Sequence, residues 1–308
     1  MAIEDRRMLL LELRPARIRA REAAAAEAVA LLRDLGAEVA PGGPLSERKG
    51  IVWVTVPGRH LAAARSRFGR LGYSVAVDLL VAEDEAAAHP PGAADRSVRW
   101  RRRAHRLVRL YEEDPVDLRE RAPDRREFLF ATRNGPVRPV RGYRGSEGPL
   151  THRALPVPDA RLLTNLVATG SPGLLLDPFA GAGGVVIEAL AAGWRVVSID
   201  DDPAVRLGLA HLGALHIVAD ARRIPLADAS VGAVSTEPPY DERAGELVAD
   251  ALHELGRVVA AGGRIAMLCA RWQARELVRA SIGIGLVTEL ETPIDRKGVE
   301  VTALVWRR

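Results

Sequence analysis

The sequence predicts an α/β chain: a Rossmann-like, mostly parallel seven-stranded sheet in the second half, preceded by a small α+β layer. Three observations predict it. From Leu174 onward, short aliphatic and β-branched runs alternate with helical stretches, the pattern that builds a parallel sheet. The first of these runs ends in a glycine turn, Asp177-Pro178-Phe179-Ala180-Gly181-Ala182-Gly183-Gly184, that opens a helix. The residues before about 95 read β-α-β-α-β, which suggests a ferredoxin-like layer.

Met8 to Leu13 is the first strand candidate, and Ala-rich Ile18 to Val39 is an amphipathic helix ending near Gly36. Ile51 to Val56 is β-branched around Trp53. His60 to Leu71 places Leu61, Ala64, Phe68 and Leu71 on one helical face, and Tyr73 to Val81 returns as a strand. Glu83 to Asp95, with Pro90-Pro91-Gly92, reads as a linker. Ser97 to Tyr111 sets Leu107, Val108 and Leu110 among arginines, as a basic helix or an edge strand would. Arg138 to Pro158 connects the halves, and Ala160 to Thr169 is a helix packed ahead of the sheet. The strands expected in that sheet are Leu174 to Asp177, Arg195 to Ile199, His216 to Val218, Gly232 to Ser235, Arg264 to Leu268, Gly285 to Leu290 and Val299 to Trp306. The last two form a hairpin about Pro293 to Gly298, an antiparallel edge.

At 308 residues and 48% hydrophobic content the chain can bury a sizeable core. One cysteine, Cys269, excludes an internal disulfide framework and points to a reducing compartment, with a cytoplasmic location the expectation. No apolar run approaches the roughly 20 residues of a bilayer span. Glu4 and Asp5 before Arg6 and Arg7 do not resemble a signal peptide, so no membrane role is expected. Seven histidines without paired ligand spacing give no expectation of a metal site. Charge is unevenly spread: residues 96–144 hold 15 Arg against 7 Asp and Glu, while the remainder holds 29 basic and 33 acidic residues. Such a stretch suits RNA phosphates; a solvated face is the plainer alternative, and the general preference for Arg over Lys, with only Lys49 and Lys297 present, contributes to the count.

The chemistry gathers at strand ends. Glycines let a ligand approach the backbone of the 177–184 turn, although such turns serve many nucleotide folds. Asp200, closing the second strand, is placed to accept from ribose hydroxyls, with Asp201 and Asp202 beside it; the triplet also suits a helix cap before Pro203. Asp220, with Ala221, ends the third strand, either as an acceptor for an adenine amine or as a turn residue. Glu237-Pro238-Pro239-Tyr240 follows the fourth strand. A nucleobase amine is a poor nucleophile because its lone pair is delocalised. Hydrogen bonds from both its N–H groups, to Glu237 and to the Pro238 carbonyl, would aim that lone pair, while paired prolines fix the backbone and Tyr240 stacks on the base. A rigid surface turn is the alternative. His152, Arg153 and Arg243 are candidates for substrate or ligand carboxylate, with surface placement the simpler reading.

Residues 151–265 resemble the catalytic domain of THUMP-associated RNA methyltransferases, which act on guanine N2 of tRNA. The resemblance lies in Thr151-His152-Arg153-Ala154, Asp177-Pro178-Phe179 with Gly181 and Gly183, Ile187-Glu188-Ala189, Ser198-Ile199-Asp200, Asp220 and the Pro-Pro-Tyr loop. It implies a class I fold using S-adenosylmethionine. Asp177, Phe179, Ala180, Gly181, Gly183, Asp200, Asp201, Asp220 and Ala221 would bind that cofactor, and Glu237, Pro238, Pro239 and Tyr240 would hold the amine. With the linker and the basic stretch, the chain divides into an α+β domain (1–95), a basic RNA-contacting segment and linker (96–148) and a methyltransferase domain (149–308). The family usually has Asp or Asn where this chain has Glu237, and about 145 residues are few for a ferredoxin-like unit plus a full THUMP domain. Three functions stay open: tRNA guanine-N2 methylation, methylation of a small nucleobase-like molecule or adenine N6, and RNA binding with weak catalysis.

Overall fold

Side-chain alternation along β1 (Arg6–Leu13) organises the amino-terminal unit of the computed structural model, which describes residues 5–85, 88, 94–116, 127–131, 136–140, 153–169, 171–241, 245–296 and 299–308. Leu9, Leu11 and Leu13 enter one core with the alanines of α1 (Arg21–Leu31), whereas Leu10 meets Trp53, Leu80 and Leu107 on the opposite face. The helix expected over residues 18–39 is shorter, because single-turn 3-10 segments flank α1 and Gly36 ends the second with φ +73°.

Next come β2 (Glu38–Val39), β3 (Ile51–Pro57), α2 (Leu61–Arg65) and β4 (Ser74–Ala82). Their sheet order with β1 is β2-β3-β1-β4, antiparallel at every pairing, which is the ferredoxin-like order. The two-residue β2 completes that order and is too short to show a period in sequence. The helix expected over residues 60–71 is also broken: after α2 the chain turns so that Gly72 and Tyr73 give both backbone N–H groups to the buried Glu27, at 2.6 and 3.0 Å.

The sheet does not stop near residue 95. β5 (Arg96–Trp100) and β6 (Arg103–Glu112) continue it as a hairpin, with β6 antiparallel to β4. Part of the basic stretch is therefore sheet, and the reason is electrostatic. Asp78 of β4 is fully buried and takes Arg96 at 2.6 Å and the Arg109 guanidinium, with Glu12 sharing both arginines. A second hairpin, β7 (Phe128–Ala131) and β8 (Val137–Val140), has no counterpart in the elements expected from sequence. Phe128 anchors it against Gly208, where an added Cβ would come within 2.3 Å of the ring.

The carboxy-terminal unit begins with α3 (Val157–Leu166) and continues β9 (Leu174–Asp177), α4 (Gly184–Ala191), β10 (Arg195–Asp200), α5 (Arg206–His211), β11 (Leu215–Val218), β12 (Val231–Thr236), α6 (Gly245–Val258), β13 (Val259–Ala270), α7 (Arg271–Gly283), β14 (Val287–Arg296) and β15 (Val299–Arg307). Its seven strands run β11-β10-β9-β12-β13-β15-β14, with β15 antiparallel to both its neighbours. The strand expected to end at Leu290 runs on through Pro293, which pairs with Thr302; an edge strand tolerates the missing N–H.

α3 joins the two units. Asp159, with no solvent exposure, takes Arg17 at 3.0 Å and the Tyr73 hydroxyl at 2.8 Å from the amino-terminal unit. Asn165 donates to Glu27 at 2.8 Å and to the Arg70 carbonyl at 2.8 Å. One apolar core runs without a break from Leu9 through Leu162 to Val305. Glu27→Ala would strand three buried donors at this junction. The expected cost is about 3–5 kcal/mol, read as a lowered urea midpoint, with a smaller loss for Glu27→Gln, which retains an acceptor.

Candidate active site

β9 ends on Asp177, buried by the sheet around it and held by the Thr236 hydroxyl at 2.8 Å and the Phe179 N–H at 3.3 Å. Burial is the main cause that raises its pKa to about 7, and the nearby Asp200 and Glu237 add to the rise. The glycine turn then folds under a strict constraint. Gly181 has φ +50°, and a Cβ there would lie 2.5 Å from the Arg153 carbonyl, which accepts from Ala182 N–H at 2.9 Å. Gly183, at φ +78°, starts α4 and packs on Leu209 and Leu212.

Asp200 braces this turn from β10. One of its oxygens accepts the Gly181 N–H at 2.8 Å and the other the Asp202 N–H at 3.0 Å, and burial raises its pKa. Asp202 caps the following turn through Ala204 N–H at 2.9 Å and pairs with Arg153 at 2.7 Å. Asp201 is exposed at the rim.

Across from the turn lies Glu237-Pro238-Pro239-Tyr240, at the end of β12. Gln273, in the first turn of α7, clamps it by donating to the Pro239 carbonyl at 3.0 Å while accepting Ala270 N–H at 2.9 Å. The Tyr240 hydroxyl donates to Glu237 Oε1, and Arg296, from the end of β14, donates to the same oxygen. Arg296 also meets Asp159 at 3.2 Å. Burial raises the Glu237 pKa while Arg296 opposes the rise, and burial beside Glu237 drives the Tyr240 phenol upward.

These two loops enclose a cavity of about 770 Å³, lined by Asp177, Phe179, Ala180, Gly181, Asp200, Asp201, Glu237, Pro238, Pro239, Tyr240 and Asp241, with Arg153 and Arg296 as its guanidinium groups. Three of the residues expected at a cofactor lie off this lining. Gly183 is packed on α5, Ala221 is buried, and Asp220 is held by its own neighbour Arg222 at 2.7 Å, which lowers its pKa. Thr151, His152 and Arg243 fall outside the described residues. Thr236, Gln273 and Arg296 had not been singled out in sequence. Thr236 adjoins the motif, whereas Gln273 and Arg296 carry no local signal. Among the described residues no group of three His, Cys, Asp or Glu is arranged to hold a metal ion, and no helix is long and apolar enough to cross a membrane.

The glycine turn follows the central strand β9, the sheet reverses direction of growth between β9 and β12, and an antiparallel β15 is inserted beside β13. The carboxy-terminal unit has the Rossmann-like class I methyltransferase fold. No family model matches the chain. A curated tRNA (guanine(10)-N2)-dimethyltransferase from Methanothermobacter thermautotrophicus is 36% identical over 122 residues, a match spanning 35% of this chain and 36% of that relative, in line with the resemblance carried by the motifs. Among solved structures, a geranyl diphosphate methyltransferase in complex with SAM is 16% identical over 59% of this chain and 97% of its own, with a TM-score of 0.42. A Burkholderia thailandensis 1,6-didemethyltoxoflavin-N1-methyltransferase with bound S-adenosylhomocysteine is 16% identical over 49% of this chain and 76% of its own, with a TM-score of 0.40. The fold assignment rests on strand order and crossover.

Because the folded chain holds the Asp177 proton more tightly than the unfolded one, stability from this group is complete below about pH 4 and is lost as pH rises to about 7. Asp177→Asn keeps an acceptor for Thr236 and Phe179 without the buried charge. Urea unfolding between pH 4 and 8 should show a shallower decline for the variant, the difference approaching about 1.4 kcal/mol per pH unit at its steepest.

Proposed function

We propose that the chain is an S-adenosylmethionine-dependent methyltransferase acting on an exocyclic nucleobase amine, foremost guanine N2 in tRNA. The observation that carries this reading is that the Glu237–Tyr240 loop and the Asp177–Gly181 turn face each other across one cavity. The residues present suit the cofactor: the cavity places five carboxylates against two guanidinium groups, which favours a cationic ligand. The relative's tRNA guanine-N2 activity supports the choice of base.

Held by the Asp177–Gly181 turn and Asp200, the cofactor would supply an electrophilic methyl group on a sulfonium, whose carbon–sulfur electron pair would leave with sulfur as the nitrogen–carbon bond formed. The chain's own residues position and polarise. Glu237 accepts one N–H of the amine and the Pro238 carbonyl the other, and the proton that nitrogen then sheds passes to Glu237 or to solvent. Gln273 keeps the Pro-Pro backbone still, and Tyr240, tied to Glu237, offers its ring to the base.

The RNA side of the reading is narrower than residues 96–144. Arg96, Arg106 and Arg109 are engaged with Asp78, Glu12, Asp95 or Glu112 inside the sheet. Arg99, Arg101, Arg102 and Arg103, exposed at the β5–β6 turn, have no carboxylate partner among the described residues. Arg101 stacks on Trp100 at 4.3 Å, and Arg101 and Arg102 hold φ +48° and +64°, a conformation in which glycine or asparagine is usual. An arginine pair kept there at a conformational cost is consistent with a turn selected for its exposed positive charge.

Incubation with labelled S-adenosylmethionine and unmodified bulk tRNA, followed by nucleoside analysis, is expected to give labelled N2-methylguanosine. Label on free nucleobase with indifference to RNA would select a small-molecule substrate, and cofactor binding without transfer would select an RNA-binding role. Replacing Arg99, Arg101, Arg102 and Arg103 with Ala is expected to weaken tRNA binding and flatten the plot of log affinity against log salt by about 0.7–0.9 for each phosphate that is no longer neutralised. An unchanged slope would move the RNA surface elsewhere.

A further inference from the structure

Glu237 stands where a shorter Asp or Asn is usual in the family that the motifs resemble, and the structure shows how its extra length is used. Both the Tyr240 hydroxyl and Arg296 Nη1 converge on Oε1, while Oε2 has no hydrogen-bond partner among the described residues and the side chain lines the cavity. Arg296 is itself fixed. It is 10% exposed, lies 3.1 Å from the Tyr240 oxygen and 3.2 Å from Asp159, and is delivered to the cavity because β14 continues past Pro293 to its last residue.

We propose that Arg296, backed by Asp159, is the positioning residue of the amine-binding loop: it takes up one carboxylate oxygen of Glu237 and leaves the other as the anionic acceptor offered to the substrate nitrogen. An aspartate at 237 would end one carbon, about 1.5 Å, short of this arrangement. Arginine suits the task because its planar fork serves two carboxylates at once, Nη1 on Glu237 and Nε on Asp159. The charges around Glu237 come from every side: Tyr240 on its own loop, Arg296 from β14, Asp159 from α3 and Asp177 from β9, with Arg17 and Tyr73 behind Asp159. Of these, Arg296 is the cation in contact with Glu237.

The role in catalysis rests on the methyl-transfer reading, whereas the charge relationship does not, so the test has two arms. With 13C-labelled glutamate carboxyls, and Glu237 assigned through Glu237→Gln, the Glu237 titration midpoint is expected to rise by at least about one pH unit in Arg296→Met and by less in Arg296→Lys. Unchanged affinity for S-adenosylhomocysteine in both variants would show that the site is intact. In the second arm, Arg296→Met is expected to lose about tenfold or more in kcat at pH 7 and to recover as pH is raised, and Glu237→Gln added to it should abolish that pH dependence. An identical Glu237 midpoint with and without Arg296, or a rate loss that is flat across pH, would overturn the proposal. A wild-type protein that methylates nothing, with the midpoint shift present, would overturn the methyl-transfer reading and leave the pairing of Arg296 with Glu237 standing.

Discussion

A carboxylate removed entirely from water, Asp159, is the constraint on which the arrangement of this chain depends. An isolated buried charge of this kind is untenable, so the fold must bring cations to it, and it brings two from different places. Arg17 comes from the turn after β1 and Arg296 from the far end of β14, 279 residues apart in sequence. Tyr73 supplies the remaining donor. Asp159 is thus satisfied only when the ferredoxin-like layer is docked and the last hairpin of the large sheet is complete. Hydrophobic burial along α3 supplies most of the driving force, because it is proportional to area and makes no demand on orientation. The ion cluster supplies the orientation.

The cavity obeys the same rule at lower cost. Asp177 is buried and Asp200 half-buried at strand ends, and each is held by groups that prefer a carboxylate oxygen: a threonine hydroxyl and the backbone N–H groups of the turn it supports. Those bonds shape the glycine turn independently of any ligand. The raised Asp177 pKa shows that burial outweighs these bonds, so the ionised carboxylate is under-compensated by the protein alone. Positive charge brought beside it would offset part of that deficit.

What the sequence makes legible is local. The glycine turn and the Pro-Pro-Tyr loop are set by backbone chemistry within a few residues, and the alternation after Leu174 fixes the class of sheet. Elements governed by distant contacts are not legible. β2 has only two residues and exists because β3 offers it an edge. Residues 97–111 read equally as a basic helix or an edge strand, because the arginines that decide for strand are placed by Asp78 on a neighbouring strand. Pro293 reads as a turn residue, yet on an edge strand a proline is tolerated, and the strand continues to Arg296. Gln273 lies 34 residues and Arg296 59 residues from the loop residues they hold, so no window along the chain could pair them.

The identity of residue 237 follows from the same electrostatics. Arg17, Asp159, Arg296 and Glu237 form a line of alternating charge, positive, negative, positive, negative, in which each inner member touches an opposite charge on both sides. Such a line is neutral as a whole, which is the condition for burying it at tolerable cost. Asparagine at 237 would leave the line with one excess positive charge, and aspartate would leave Arg296 beyond easy reach. Glutamate satisfies both requirements at once, charge and length. Glutamate at 237 is therefore coupled to Arg296 and, through Asp159, to the docking of the amino-terminal unit, so changes at 237 and 296 should be strongly non-additive.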